Sequence, residues 1–308
     1  MDSKCYREML MIVQESKKGR RKKMKRKKMK RWKLVLMVAV VVGATTALVA
    51  CAGKAGKDKA EKSETSAAST NAGASNAKGQ LTLGAAASLE KVFSDKIIPM
   101  FNEKYPDIKV TGTYDSSGKI QAQIEEGAKI DVFFSAATKQ MDELDKKGLM
   151  DTASIHPMLE NKLVMIAAKD KAEQFTSFEQ IANAKKVAIG DPKSVPAGAY
   201  AKEVLESMEI WDAVQDKLSL GSNVTEVLNW VADGSASVGL VYATDAKKMA
   251  DKVSVIEEAP EGTLKEKIVY PIGIVKNSDN AAAAKIFVDF LKTDAVKQVF
   301  VESGFTVE

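Results

Sequence analysis

The chain has 308 residues, with 46 Lys and Arg, 41 Asp and Glu, one His and two Cys. This length suits about two domains, and one His with two Cys excludes a metal centre built on a His/Cys cluster. Residues 1–33 contain 15 basic and three acidic residues, which leaves 31 basic and 38 acidic residues in the rest of the chain. The basic excess therefore belongs to the leader and gives no support for nucleic-acid binding by the body.

An uncharged apolar segment, residues 34–50, follows the basic run directly. It is marginal in length for a bilayer span and is typical of the apolar region of a signal peptide; an uncleaved transmembrane anchor is the alternative. The tetrapeptide "LVAC", ending at Cys51, resembles the lipobox of bacterial lipoproteins, and this resemblance implies lipidation of Cys51. We expect residues 1–50 to be a lipoprotein signal peptide and the protein to be anchored on the extracytoplasmic face of the cell membrane.

Residues 51–80 are rich in Ala, Ser, Gly, Lys and Asn and contain almost no large apolar side chain. Such a segment cannot bury enough surface to fold. We predict a flexible tether that holds the body away from the membrane. Because both cysteines precede this segment or begin it, no disulfide can stabilise the body, which must depend on its own core.

From Leu81 onward, short apolar strands alternate with amphipathic helices. "IDVFFSAA" is apolar enough to be a strand buried on both faces, and "LEKVFSDKIIPMFNEKY" has its apolar residues on one helical face. Repeated βα units predict an α/β fold with mostly parallel sheets. Two such sets predict two lobes, residues 81–163 plus 271–308 and residues 164–270, with the chain crossing near Leu163 and again near Pro271.

The body lacks the common signatures of enzymes. It contains neither a GxxxxGK[ST] phosphate loop nor a GxSxG nucleophile turn. Its one histidine, His156, precedes Pro157 in a predicted loop and is interpreted as a surface or inter-lobe residue. We therefore predict a protein that is not an enzyme and needs no cofactor.

Strands repeatedly give way to helices that begin with a hydroxyl or with small residues. Ser88 follows the first strand, Ser116 and Ser117 follow the second, Ala197 lies behind a proline, and Asn223 precedes another helix. Helix N-termini offer unpaired N–H groups and the positive end of the helix dipole. Such ends at the carboxyl edge of a sheet predict an anion site without Lys or Arg; the alternative is that they are ordinary helix caps.

Several of these stretches resemble the molybdate-binding proteins of bacterial ABC importers. The similarity runs in order through "GAAASL", "SSGKIQAQIEEGAKIDVFFSAA", "NKLVMIAA", "GDPKSVPAGAYAKEVL", "GLVYATDA" and "VYPIGIV". It implies the two-lobe, type II fold of periplasmic binding proteins, with the ligand in the cleft between the lobes. It also implies that the protein captures molybdate, and by extension tungstate, and delivers it to the membrane permease of an ABC transporter.

The resemblance implies five contacts to the bound oxyanion. They are the hydroxyls of Ser88 and Ser117, the main-chain N–H groups of Ala197 and Val224, and the side chain of Tyr242. No cation ligand is expected, and the protein is expected to be a monomer that binds no nucleic acid. The alternatives are a binding protein for another oxyanion such as sulfate and, less favoured, one for a metal ion or a polyamine.

The stretch around Ser117 departs from the family pattern at two positions. Asp115 is a carboxylate that would repel an anion, so we expect it to face away from the cleft and to accept from a backbone N–H. Gly118 stands where relatives have a third serine. Lys193, in the stretch before Ala197, is expected at the rim of the cleft rather than on the ligand.

Overall fold

The computed structural model describes residues 79–308. These residues contain eleven strands. In chain order they are β1 (Gly79–Ala86), β2 (Ile108–Asp115), β3 (Val132–Phe134), β4 (His156–Asn161), β5 (Leu163–Ala168), β6 (Val187–Gly190), β7 (Leu218–Gly221), β8 (Val238–Tyr242), β9 (Val253–Glu258), β10 (Ile268–Ile274) and β11 (Thr306–Val307).

Helices follow most of the parallel strands. A 3-10 turn, Ala87–Leu89, leads into α1, which consists of Glu90–Val92, a π-helical stretch Phe93–Ile97, and Ile98–Lys104. The others are α2 (Ser117–Glu125), α3 (Thr138–Lys146), α4 (Pro196–Ser207), α5 (Trp211–Val214), α6 (Val224–Ala232), α7 (Ala243–Lys248), α8 (Ala281–Leu291) and α9 (Asp294–Glu302). Short 3-10 turns complete the connections.

The strands form two sheets, ordered β11-β4-β10-β3-β1-β2 and β7-β6-β8-β5-β9. Both are mixed. β1 pairs in parallel with β2 and β3, and β6 pairs in parallel with β7 and β8, whereas the remaining pairs are antiparallel. The expectation of mostly parallel sheets is thus corrected, because only the strands of βα units pair in parallel. Strands β4, β5, β9 and β10 lie next to the points where the chain crosses between the sheets. These crossings contain no helix of the kind that parallel pairing requires.

The chain passes from the first sheet to the second between Asn161 and Leu163 and returns between Glu258 and Ile268. Pro271 therefore lies inside β10 rather than at the return crossing. It is tolerated because the register of β10 against β4 shifts between Tyr270 and Pro271. The predicted lobe limits, 81–163 plus 271–308 and 164–270, stay a prediction.

His156 is the first residue of β4, so the predicted loop at this position is wrong. Its partner in β10 is Ile272, next to the facing prolines Pro157 and Pro271. The sequence misleads because two prolines in a strand pair are compatible only with such an irregularity. The ring is half-buried, and burial lowers the pKa of His156 below its ordinary value.

The strand β3 is buried on both faces, as predicted. On one face Phe134 joins an aromatic cluster with Phe93, Phe287 and Phe300. On the other face Phe133 packs in a second cluster beneath α2 and α3. The carboxyl end of β3 is therefore held rigidly next to the start of α2.

We predict that Phe93→Ala lowers the free energy of unfolding by about 3–5 kcal/mol. Phe93 is fully buried, with ring centroids 5.9 Å from both Phe134 and Phe300, so truncation leaves a cavity. Urea unfolding followed by circular dichroism measures the change. Val301→Ala, at a side chain that is 50% exposed on α9, is the matched control and is expected to change stability by less than about 0.5 kcal/mol. An equal loss in both variants would contradict the prediction.

Candidate functional site

Ser88 lies in the 3-10 turn that follows β1 and is fully buried. Its Oγ is 3.0 Å from the phenol oxygen of Tyr270, which in turn accepts from Asn161 Nδ2 at 3.1 Å. The same Nδ2 donates to Thr244 Oγ1 at 2.9 Å. Ser88 is thus the end of a buried hydrogen-bonded chain that reaches from the first sheet to the residues after β8.

Ser117 is the first residue of α2, and Ser116 is its N-cap. The Ser117 Oγ accepts from the N–H of Ala136 at 2.9 Å, which leaves its own proton free to donate. The Ser116 hydroxyl is buried, makes no capping bond and has no partner within residues 79–308. The hydroxyls of Ser116 and Ser117 are therefore not used to cap α2.

Ala197 is the second residue of α4, behind Pro196. Proline is well suited to this position because its missing N–H would have no helical acceptor. Gly198 lies against β6, where a Cβ would come within 2.0 Å of the carbonyl oxygen of Gly190. The small residues of this turn are therefore needed for packing, because the helix could not approach the strand with a larger residue here. They also leave the main-chain N–H groups of the helix start accessible.

Val224 is the first residue of α6, and Asn223 is its N-cap. Asn223 Oδ1 accepts from the N–H of Glu226 at 3.0 Å, and a carboxylate oxygen of Glu226 accepts from the N–H of Ser222 at 2.7 Å. In a standard capping box the glutamate side chain accepts from the N–H of the N-cap residue. Here it accepts instead from the N–H of Ser222, one residue before the N-cap. The side chain of Val224 is buried with Val227, Leu228 and others, so only its backbone is available as a donor.

Tyr242 ends β8 and is fully buried. Its ring meets that of Tyr270 edge-on with a centroid distance of 5.6 Å, and its hydroxyl lies 3.4 Å from the carbonyl oxygen of Ala136. Burial raises the pKa of Tyr242 well above its ordinary value. The phenol therefore stays protonated and can donate a hydrogen bond.

Contacts between elements of the two sheets gather the five residues. Tyr242 and Ser117 both contact Ala136, and the start of α6 packs against the turn that contains Ser88. Ala197 is linked less directly: Ser194, three residues before it, accepts from the N–H of Gly118 at 3.0 Å. Each of the five is at most 4% exposed, so the boundary between the sheets is closed around them.

The electrostatics of this boundary come mainly from neutral groups. The N–H groups of Ser117, Ala197 and Val224 lie in first turns, which have no acceptor in their own helix, and none of them donates elsewhere in residues 79–308. Lys193 is exposed, as expected for a rim residue. The arrangement offers an anion uncharged donors and the positive ends of helix dipoles.

The carboxylate of Asp115 is occupied. It accepts from the N–H of Ser116 at 2.8 Å, from Lys119 Nζ at 3.1 Å and from Asn223 Nδ2 at 3.3 Å. The expected bond to a backbone N–H is confirmed, but the expectation that Asp115 faces away from the boundary is corrected, because it also accepts from Asn223 on the second sheet. Because Lys119 balances its charge and three donors share its oxygens, Asp115 can lie near the starts of α2 and α6 without an unpaired negative charge.

Sequence reasoning missed several polar residues of this boundary. Tyr270 was part of an apolar strand pattern, and Asn161 lay in a strand that the sequence did not predict. Asp245 and Lys248, in α7, were not among the residues that the sequence singled out. No local signal could have identified them, because their contacts depend on how the two sheets meet.

Other features lie away from these residues or outside the described part of the chain. Two surface cavities of about 510 and 420 Å³ contain none of the five. Within residues 79–308, no group of three or more His, Cys, Asp and Glu could hold a metal ion, and no helix has the length and apolar character of a membrane span. Cys51, the predicted signal peptide and residues 51–78 of the predicted tether lie outside the described residues, whereas Gly79 and Gln80, its last two residues, belong to β1.

Known protein sequences that are similar to this chain are solute-binding proteins. Residues 81–306 match the family described as bacterial extracellular solute-binding protein. The molybdate-binding protein ModA of Escherichia coli is 36% identical over 238 residues, which cover 75% of this chain and 90% of that protein. YvgL of Bacillus subtilis, whose name describes an ABC transporter substrate-binding lipoprotein, is 38% identical over 231 residues, covering 75% and 88%.

Solved structures agree with the fold. A substrate-binding domain from Clostridium difficile, assigned to a molybdenum ABC transporter, is 38% identical, covers 74% of this chain and 98% of its own, and gives a TM-score of 0.58. The periplasmic molybdate-binding protein of Azotobacter vinelandii, at 23% identity, 74% and 99% coverage and a TM-score of 0.66, shows the fold alone. The predicted two-lobe α/β fold is confirmed. With the family matched over residues 81–306, the chain belongs to the bacterial extracellular solute-binding proteins.

Proposed function

We propose that the protein binds molybdate, and also tungstate, outside the cytoplasm and delivers it to the membrane permease of an ABC importer. Relatives named molybdate-binding protein at 35–36% identity support this ligand. The observation that carries the proposal is the gathering, at one closed boundary, of three main-chain N–H groups that have no acceptor in residues 79–308 and the hydroxyls of Ser88, Ser117 and Tyr242. The mechanism is binding without catalysis.

Five residues would hold the oxyanion: Ser88, Ser117, Ala197, Val224 and Tyr242. The groups that would contact the ligand are neutral hydrogen-bond donors. None of these five contacts therefore requires a charged side chain to lose its water before a dianion binds. Each hydrogen bond to a charged ligand contributes on the order of 1.5–3 kcal/mol. A fully deprotonated oxyanion fits such donors, whereas a protonated phosphate would need an acceptor for its proton.

Entry of the ligand requires the two sheets to move apart, because all five residues are buried. The connections at 161–163 and 258–268 are the crossings about which the lobes would turn. Closure then brings Gly118 against Ser194 and completes the shell of donors from both sides. We propose lobe limits of 81–163 plus 271–308 and of 164–270 for this motion.

The protein would be a lipid-anchored monomer. The basis is the "LVAC" sequence at Cys51 together with the basic and apolar segments before it. YvgL, a relative named as a lipoprotein, supports the same arrangement. Residues 51–80 would then connect the lipid to the binding lobes.

We predict that the full chain, purified in detergent, is stabilised by molybdate and tungstate. At a ligand concentration of about 100 times Kd, the gain in unfolding free energy is about 2.7 kcal/mol. Thermal-shift and calorimetric measurements with molybdate, tungstate, sulfate, phosphate and divalent cations test this. A clear response to any other ligand, with none to molybdate or tungstate, would refute the proposed function.

Ser117→Ala is predicted to weaken molybdate binding at least about tenfold, since a hydrogen bond to a charged group is lost. Isothermal titration calorimetry measures the affinity. The matched control is Ser207→Ala at the exposed end of α4, which should bind as the parent does. Equal affinities in the two variants would remove Ser117 from the site.

Gly118→Ala should separate stability from binding. A Cβ at this position would lie 2.5 Å from the carbonyl oxygen of Ser194, which only an opened boundary relieves. Molybdate affinity should therefore fall about tenfold or more, while unfolding in the absence of ligand stays within about 1 kcal/mol because alanine favours the helix. Calorimetry and urea unfolding together measure both effects; unchanged affinity would show that closure tolerates the methyl group.

A further inference from the structure

Lys248, at the end of α7, forms a hydrogen bond that links elements of the two sheets. This bond is not one of the five proposed ligand contacts. Lys248 Nζ donates to the main-chain carbonyl oxygen of Ser88 at 2.6 Å, across 160 residues of sequence. The side chain is only 20% exposed. Next to it, Lys247 Nζ donates to the carbonyl oxygen of Glu302 in α9 at 2.7 Å. Two successive lysines of α7 thus donate to main-chain carbonyl oxygens of elements that pack with the first sheet, the turn after β1 and helix α9.

The same ammonium group compensates a buried charge. Lys248 Nζ lies 2.8 Å from Asp245 Oδ1, whose side chain is fully buried. The second carboxylate oxygen, Oδ2, has no hydrogen-bond partner within residues 79–308. The negative charge of Asp245 is close enough to raise the pKa of both Tyr242 and Tyr270, although burial is the larger cause. Without Lys248, this carboxylate would place an unbalanced negative charge beside the anion site.

We propose that Lys248 is a positioning residue for the anion site. It fixes the Ser88 turn against α7 through the carbonyl bond, and it keeps the charge of Asp245 from opposing the bound anion. Ser88 is then held on two sides, at Oγ by Tyr270 and at its carbonyl oxygen by Lys248. This inference rests on the proposed function, because it assigns Lys248 a part in holding that ligand.

The experiment compares four variants of the full chain in detergent, with stopped-flow and calorimetric measurement of molybdate binding. Lys248→Met is expected to bind at least about tenfold more weakly, through faster dissociation. Lys252→Met is the control. It removes the same charge from an exposed lysine that has no ion-pair partner in residues 79–308, and its affinity should match the parent. Equal affinities for Lys248→Met and the parent would overturn the proposal.

Asp245→Asn separates charge from position. Asparagine keeps an acceptor for Lys248 and removes the negative charge, so molybdate should bind at least as tightly as in the parent; weaker binding would contradict the charge argument. The double variant Asp245→Asn/Lys248→Met contains no unpaired buried charge, so it also guards against simple misfolding of Lys248→Met. It should still bind about tenfold more weakly, and full affinity would overturn the positioning role.

Hydrogen–deuterium exchange without ligand distinguishes a failure of this inference from a failure of the proposed function. Amides in residues 84–93, around Ser88, should exchange faster in the double variant than in the parent or in Lys252→Met. If the parent binds no molybdate yet this difference appears, the proposed function fails while the hold on Ser88 stands. If exchange is the same in all variants, Lys248 does not hold the turn and the inference fails.

Discussion

The phenol of Tyr270 is the point on which this architecture depends. It bonds to Ser88 Oγ and accepts from Asn161 Nδ2, and its ring packs against Tyr242. Asn161 is the last residue before the chain leaves the first sheet, and Tyr242 is the last residue of a central strand in the second. One buried side chain therefore contacts the end of β1 and the crossing between the sheets through its hydroxyl, and the end of β8 through its ring. A buried polar group must be satisfied, so these elements cannot shift independently while the boundary is closed.

The donors of the candidate site follow from the same geometry. Helices α2, α4 and α6 all begin where a parallel strand ends, and their first N–H groups are unpaired by construction. The first turns of α2 and α4 contain small residues, Gly118 in α2 and Ala197 and Gly198 in α4, which allow close approach of the backbone. Gly118 against Ser194 is such an approach, whereas Gly198 against Gly190 is a close contact of α4 with β6 on the second sheet. The proposed site would thus use main-chain N–H groups as ligand contacts, with charged residues paired around it.

Charge compensation distinguishes this boundary from a simple pocket of donors. Asp115 shares its oxygens among three donors, and Asp245 is paired with Lys248. Asp115 lies near the starts of α2 and α6 and Asp245 near Tyr242, and each is paired with one lysine. The net effect is a boundary whose local charge is close to neutral, where helix dipoles and hydroxyls can act on the ligand.

The sequence by itself determined the α/β class and the positions of most strands and helices, and its resemblance to molybdate-binding proteins supplied the five residues proposed for the anion. Strand ends and helix starts are written in local patterns: Pro196 in a first turn, Asn223 as a cap, and the run of apolar residues in β3. Only the tertiary structure decided the antiparallel pairing of β4, β5, β9 and β10, the placement of His156 in a strand, and the roles of Tyr270, Asp245 and Lys248. Most of these depend on contacts between residues more than 70 positions apart, and local periodicity contains no information about which distant strand, ring or carbonyl a side chain will meet.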